Sequence, residues 1–321
     1  MRVVPEFDPI TGRYLHLDTA WGRSRLYFEE AGVGRPLVCL HTAGADSRQY
    51  RELLCDAEIA SRWRVIAFDL PYHGRSMPPG AWWKKEYLLT TRFYADTGMT
   101  FVRALDLEHP VVLGCSMGGA VVLELARRYA SELEAVIGLE AASKIEGRFT
   151  DWSVMPDVNG SEMIATWIYG LMAPQSPEAS RRDVWWIYGQ GGPGVYRGDT
   201  YFYSIDWDLR GREGEINTSE CPVYLLTGEY DYACAPEETG STAAAIPGAP
   251  ARRWKASVTS RWPRTILFSG GICCRSSEIS CREKVLEMWT WKGEPWRPPK
   301  RSRPTSTRWS VSEATCSTTT R

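Results

Sequence analysis

The sequence is poor in histidine and has no long hydrophobic run. Only four of its 321 residues are histidine, and none of them follows His109. No stretch approaches the roughly 20 apolar residues that a membrane-spanning helix requires, and the first residues contain no apolar run long enough for a signal peptide. We therefore expect a soluble, cytoplasmic protein that makes no contact with a membrane.

The cysteines give no sign of a metal centre or a disulfide framework. All nine stand at irregular spacings. The close set at positions 273, 274 and 281 has no histidine after it to complete a zinc site. We expect free thiols and neither a metal nor a cofactor.

Charge is distributed unevenly along the chain. The formal net charge is −1, yet residues 251–321 carry 15 Lys and Arg against five Glu and no Asp. This stretch also holds six of the 15 tryptophans and shows neither helical nor strand periodicity. It is either an aberrant, disordered tail or a basic arm that binds nucleic acid or an acidic partner. We favour the first interpretation and expect no nucleic-acid partner.

Short apolar runs alternate with amphipathic segments in the first half of the chain. The runs that read as strands are residues 25–29, 36–41, 64–69, 110–115 and 135–140. Such alternation predicts an α/β fold with a mostly parallel central sheet flanked by helices. The pattern resumes at residues 222–228, and nothing after Ala249 resembles a further strand.

Composition divides the chain into four segments. Residues 142–212 break into pieces rich in Trp, Tyr and Gly that do not continue the alternation, which is typical of an inserted cap. We therefore predict a first core segment at 1–141, a cap at 142–212, a second core segment at 213–249 and the basic tail at 250–321.

The sequence Gly-Cys-Ser-Met-Gly at 114–118 fits the motif G-x-S-x-G between a predicted strand and a predicted helix. This turn is tight enough to need small flanking residues, and it lifts the hydroxyl of Ser116 to a helix N-terminus. Ser116 is therefore the candidate nucleophile. The plainer alternative is a serine that merely caps the helix.

Four motifs in order, from about Tyr14 to Ala249, resemble the α/β-hydrolase superfamily. His-Thr-Ala-Gly at 41–44 is similar to the loop that shares the oxyanion hole, which implies backbone donors at Ala43 and Met117. Thr42 departs from the usual glycine, and we interpret His41 as a buried structural residue. Asp-Leu-Pro-Tyr-His-Gly-Arg-Ser at 69–76 is similar to a structural turn of the family, so His73 is expected to be a turn residue rather than a base.

The resemblance also supplies a candidate for the acid of a catalytic triad. The segment Leu-Leu-Thr-Gly-Glu-Tyr-Asp at 225–231 matches the strand and loop that present this acid, which implies Asp231. Its role would be to orient a histidine and to stabilise the imidazolium. Glu140, at the end of the preceding strand, is the second candidate, and a solvated loop aspartate is the plainer reading of Asp231.

The histidine that should follow Asp231 is absent from the chain. Residues 254–275 can be back-translated into codons and then read in the frame that starts at the third base of each codon. Permitted codon choices give the peptide EGIGHFPMAENYPIFRGYLLP, whose histidine codon spans the codons of Val258 and Thr259. This hidden peptide is similar to the missing loop and final helix. We infer a frameshift between about Ala245 and Trp254.

The resemblance implies hydrolysis of a carboxylic ester or related acyl bond. Tryptophans of the cap are candidates for an apolar acyl or aromatic pocket, or for ordinary cap core: Trp152, Trp167, Trp185 and Trp186. Relatives with this motif also include C–C bond hydrolases, enol-lactone hydrolases and perhydrolases, which the motif does not separate. A catalytically inactive, hydrolase-like binding protein is the remaining alternative.

Overall fold

A computed structural model describes residues 6–150, 152, 155, 158–228 and 230–249, and the backbone of residues 251–254, 267–268 and 272–273. No helix within these ranges has both the length and the apolar content needed to cross a membrane.

A central eight-stranded sheet organises the described chain. Its spatial order is β1-β2-β4-β3-β5-β6-β7-β8. The β1–β2 and β2–β4 pairs are antiparallel, and every other pair in the sheet is parallel. The strands are β1 Thr11–Thr19, β2 Gly22–Ala31, β3 Arg35–Leu40, β4 Trp63–Phe68, β5 Val111–Cys115, β6 Ala135–Leu139, β7 Val223–Gly228 and β8 Ala251–Trp254; β9 Leu267–Phe268 and β10 Ile272–Cys273 form a separate antiparallel pair.

Helices connect the parallel strands. The α-helices are α1 Arg51–Cys55, α2 Ala57–Ala60, α3 Thr91–Ala104, α4 Met117–Tyr129, α5 Gly160–Leu171, α6 Glu178–Tyr188, α7 Val195–Tyr201 and α8 Pro236–Ala245. A π-helical turn, Phe202–Asp206, follows α7. Helices α5 to α7 all lie between β6 and β7, inside the segment predicted as a cap.

Both faces of the sheet are covered by apolar side chains. In β3, Val38 and Leu40 join the core on one face, while Leu37 and Cys39 join the core on the other. Alternate side chains of a strand point to opposite faces, so burial on both sides explains the continuous apolar runs in the sequence. The predicted α/β fold with a mostly parallel sheet is confirmed.

Two strands differ from the sequence prediction. Strand β1 was not predicted, because most of its side chains are exposed and it lacks an apolar run. The expectation that no strand follows Ala249 is wrong, because Ala251–Trp254 pairs in parallel with β7, from Leu225 opposite Ala251 to Gly228 opposite Trp254. Its sequence, ARRW, carries two arginines, so backbone pairing rather than an apolar pattern defines it. Most of the predicted tail lies outside the described residues.

Candidate active site

Ser116 occupies a strained turn between β5 and α4. Its φ of 54° and ψ of −107° lie in a region that non-glycine residues rarely adopt, at a cost on the order of 1–3 kcal/mol. Two backbone hydrogen bonds hold the residue there: its amide donates to the carbonyl of Leu139 and its carbonyl accepts from the amide of Ala120, both at 2.8 Å. The backbone of Ser116 is therefore held in this conformation at the N-terminus of α4.

The glycines of the motif are required by close backbone packing. A Cβ on Gly114 would stand 2.1 Å from the carbonyl oxygen of Gly118, and a Cβ on Gly118 would stand 2.3 Å from that of Leu40. These distances are far inside van der Waals contact. The start of α4 thus packs directly on the end of β3, which brings the amide of Met117 next to the loop that follows β3.

The hydroxyl of Ser116 contacts a tyrosine from the segment between β6 and β7. Ser116 Oγ lies 2.9 Å from the hydroxyl of Tyr203, which in turn lies 3.0 Å from Cys234 Sγ. All three side chains are buried. Burial raises the pKa of both Tyr203 and Cys234 well above their usual values, so both groups stay protonated at neutral pH.

The two candidate acids lie together. Asp231 follows β7, is buried, and accepts a hydrogen bond from the amide of Cys234 at 2.5 Å. Burial raises its pKa to about 6. Glu140 follows β6 and is hydrogen-bonded to Asp231; burial, followed by the charge of Asp231, raises the pKa of Glu140 well above its usual range. Sequence reasoning treated the two acids as alternatives, whereas the structure makes them one pair.

The loop after β3 is anchored on both sides of Ala43. The amide of Thr42 donates to Gln49 Oε1 at 2.9 Å, and the amide of Gly44 donates to Asp199 Oδ2 at 2.7 Å. Thr42 is not among the residues with positive φ, so its departure from glycine causes no left-handed strain. Met117 is the first residue of α4, where a backbone amide has no acceptor within the helix. Both predicted oxyanion donors thus belong to neighbouring, well-held segments.

The two histidines near the site have structural partners. His41 Nε2 accepts from the amide of Leu70 at 3.2 Å, and its Nδ1 faces the carbonyl of Thr42 at 2.8 Å. Burial, and then the neighbouring His73, lower the pKa of His41 to about 4, so it is neutral. This is the buried structural histidine expected from the sequence. His73 Nε2 lies 2.8 Å from Asp199 Oδ2, and both side chains are buried.

A cavity of about 570 Å³ adjoins the loop after β3. Its wall includes Gly44, and its aromatic lining includes Trp152, Tyr188 and Tyr196. Trp152 stacks on Tyr196 with ring centroids 6.0 Å apart.

The four predicted pocket tryptophans are placed differently. Trp152 lines the cavity, and the ring of Trp167 packs edge-on against the ring of Trp152. Trp185 and Trp186 are not part of this wall, and their exposed fractions are 39% and 62%.

Sequence reasoning singled out neither Asp199 nor Tyr203. Asp199 is fully buried in α7, and nothing in its local sequence marks it. The only signal for either residue is the location of both in the segment predicted as a cap. Among the described residues, no group of three or more His, Cys, Asp or Glu side chains is arranged to hold a metal ion.

Comparison with known proteins agrees with this architecture. The sequence model of the alpha/beta hydrolase fold family matches residues 35–166. A zearalenone hydrolase from Bionectria ochroleuca is 28% identical over 141 residues, which cover 43% of this chain and 52% of that enzyme. The chain spans about half the length, or less, of the curated relatives it matches.

Solved structures are similar over most of the chain. An esterase from Thermogutta terrifontis has a TM-score of 0.64 at 22% identity, covering 76% of this chain and 90% of the esterase. The enol-lactonase from Burkholderia xenovorans LB400 also has a TM-score of 0.64, at 19% identity, covering 74% and 90% of the two chains. The protein is therefore an α/β-hydrolase-fold protein.

Proposed function

We propose that the site is built for hydrolysis of carboxylic esters through Ser116. The observation that carries the proposal is a buried serine with a strained backbone next to the loop after β3. In that loop, hydrogen bonds hold the backbone amides of Thr42 and Gly44, on either side of Ala43. Ser116 Oγ attacks the acyl carbon, and the amides of Ala43 and Met117 hold the oxyanion. Collapse of the tetrahedral intermediate expels the alcohol and leaves an acyl-serine, which water then hydrolyses.

A general base is the missing component. The sequence has no histidine after His109, while the role of Asp231 is to orient one. Tyr203 and Cys234 keep their protons at neutral pH, so neither takes the proton of Ser116 efficiently. We propose that a frameshift removed the histidine, whose predicted position at Val258 and Thr259 lies outside the described residues. The chain as written is then slow, and the frame-corrected chain is an efficient esterase.

The substrate we propose has an apolar or aromatic acyl group. The cavity lined by Trp152 and Tyr196 reaches Gly44, the neighbour of the oxyanion donor Ala43. Flat aromatic walls favour planar or aliphatic groups over charged ones.

The test is labelling with a fluorophosphonate, which phosphonylates an activated serine. We expect rapid labelling of the frame-corrected chain and slow labelling of the chain as written. In the frame-corrected chain, Ser116→Ala should abolish labelling, and Ser143→Ala, a control at another buried serine, should leave it unchanged. Labelling that survives Ser116→Ala would overturn the assignment. Resequencing the codons from Ala245 to Glu278 tests the frameshift, and an unchanged sequence contradicts it.

One observation favours a second candidate, a binding protein of hydrolase fold. The hydroxyl of Tyr203 occupies a hydrogen-bonding position on Ser116 Oγ that a base would need. Aromatic esters that bind to the frame-corrected chain without turnover would support this candidate over the esterase.

A further inference from the structure

Asp199 links the segment between β6 and β7 to three other parts of the protein. Its carboxylate is fully buried in α7 and has three donors. Oδ2 accepts from the amide of Gly44 at 2.7 Å and lies 2.8 Å from His73 Nε2. Oδ1 accepts from the hydroxyl of Tyr87 at 2.6 Å. Burial of a carboxylate costs desolvation free energy, which close hydrogen-bond and charged partners can offset. The three donors around Asp199 are such partners.

His73 is surrounded by acceptors on both ring nitrogens. Nδ1 faces the carbonyl of Pro71 at 3.1 Å, and Nε2 faces Asp199 at 2.8 Å. Because a neutral imidazole has only one N–H, both contacts are hydrogen bonds only if the ring is an imidazolium. Burial lowers the pKa of His73, but the charge and hydrogen bond of Asp199 outweigh it, so that the net shift is upward.

The other groups near His73 leave this charge state in place. The ring of His41 is 4.6 Å from that of His73, but His41 is neutral and adds no positive charge. Asp69 adds a favourable negative charge. Tyr87 faces Asp199 as a donor, and burial raises its pKa well above the usual value.

We propose that the buried Asp199–His73 ion pair is a positioning device that fixes the Gly44 amide and thereby orients the Ala43 amide toward the oxyanion. Asp199 is then a positioning residue that couples helix α7 to the loop after β3. The part that concerns Ala43 rests on the proposed function, whereas the ion pair and its hold on Gly44 do not.

Two substitutions separate the charge of Asp199 from its role as acceptor. Asp199→Asn retains an oxygen for Gly44 but removes the charge, so we expect His73 to lose a proton near neutral pH while the Gly44 amide stays protected. Asp199→Ala removes the acceptor, so we expect hydrogen exchange at Gly44 to rise roughly 10- to 100-fold. Asp183→Asn, at an exposed position of α6, should leave hydrogen exchange at Gly44 unchanged.

The measurements are ¹⁵N NMR of the His73 ring and amide exchange at Gly44, both made on the full chain. Two protonated ring nitrogens in the wild type at pH 7 support the ion pair; a neutral His73 overturns it without any variant having to fold. Gly44 exchange that stays slow in a folded Asp199→Ala variant overturns the hold on the loop.

Fluorophosphonate labelling of the frame-corrected chain tests the link to catalysis. We expect the labelling rate of Asp199→Ala to fall roughly tenfold or more, because misplacement of a site group by about 1 Å costs up to 100-fold. Unchanged labelling despite an exposed Gly44 amide overturns the positioning role. Absence of labelling even in the frame-corrected chain with Asp199 intact contradicts the proposed function instead, and the NMR and exchange results then decide the ion pair alone.

Discussion

The carboxyl groups of Glu140 and Asp231 share a hydrogen bond at the ends of the neighbouring strands β6 and β7. Two carboxylates so close together do not both ionise readily, so the pair keeps a proton. Burial raises the pKa of both carboxyl groups, and the charge of Asp231 raises that of Glu140 further. One shared proton would leave the other carboxylate free to orient a base, which is the role that we propose for Asp231.

This pair predicts a loss of stability as pH rises. A carboxyl whose pKa is raised on folding stabilises the folded state fully below its unfolded pKa, and that stability is lost as pH rises through the folded pKa. For Asp231 the window runs from about pH 4 to about 6, and for Glu140 it extends higher. Glu140→Gln should remove the share of this loss that comes from Glu140. That share is about 1.4 kcal/mol for each unit by which folding raises the pKa of Glu140.

Urea denaturation at pH 5 and pH 8 measures this effect. The wild type should lose more stability than Glu140→Gln between the two values, and Glu162→Gln, at an exposed position of α5, should behave like the wild type. Parallel profiles for wild type and Glu140→Gln would show that Glu140 carries no buried proton.

Gly118→Ala should destabilise the protein by about 3 kcal/mol, because the new methyl group would overlap the carbonyl oxygen of Leu40 in a packed core. The matched control is Gly98→Ala in α3, where a Cβ meets nothing within 4 Å. That control should be neutral or more stable by up to about 1 kcal/mol, since alanine favours a helix. Equal urea midpoints for the two variants would contradict the close packing of α4 on β3.

Tyr203→Ala should permit chemical rescue by imidazole. Removal of the phenol opens space beside Ser116 Oγ, where added imidazole acts as the base that the chain lacks. We expect p-nitrophenyl ester hydrolysis to rise with imidazole concentration and to saturate. Tyr203→Phe keeps the ring in place and should show no saturable rescue. The same rescue in a Ser116→Ala, Tyr203→Ala double variant would mean that the reaction does not use Ser116.

Trp152→Ala should reduce hydrolysis of benzoyl esters more than that of acetyl esters, since it removes an aromatic wall of the cavity. A loss of about tenfold in kcat/KM corresponds to about 1.4 kcal/mol, a reasonable value for one aromatic contact. Trp186→Ala, at an exposed position, is the control and should change neither rate. The hydrolysis rates are best measured on the frame-corrected chain, which we expect to be the faster enzyme. An equal effect of Trp152→Ala on both esters would show that the acyl group binds elsewhere.

The fold was predictable because its signals are local. Apolar runs mark the buried parallel strands, and the turn around Ser116 follows from glycines adjacent in the sequence. Asp199 gave no such signal, because its partner Gly44 is 155 residues away along the chain. A lone aspartate in an aromatic segment is also typical of a surface residue. The pairing of Glu140 with Asp231 depends on strand order, which sequence periodicity alone does not give.

Strand β8 ends at the edge of the sheet where the candidate site lies. It runs parallel to β7, so its carboxyl end at Trp254 lies at the same edge as Asp231. A peptide fused after Trp254 therefore starts close to the site, within reach of a linker of a few residues at about 3.4 Å each. We expect this strand end to suit grafted segments, in which a histidine-bearing loop from a donor enzyme is joined after Trp254 and selected for turnover.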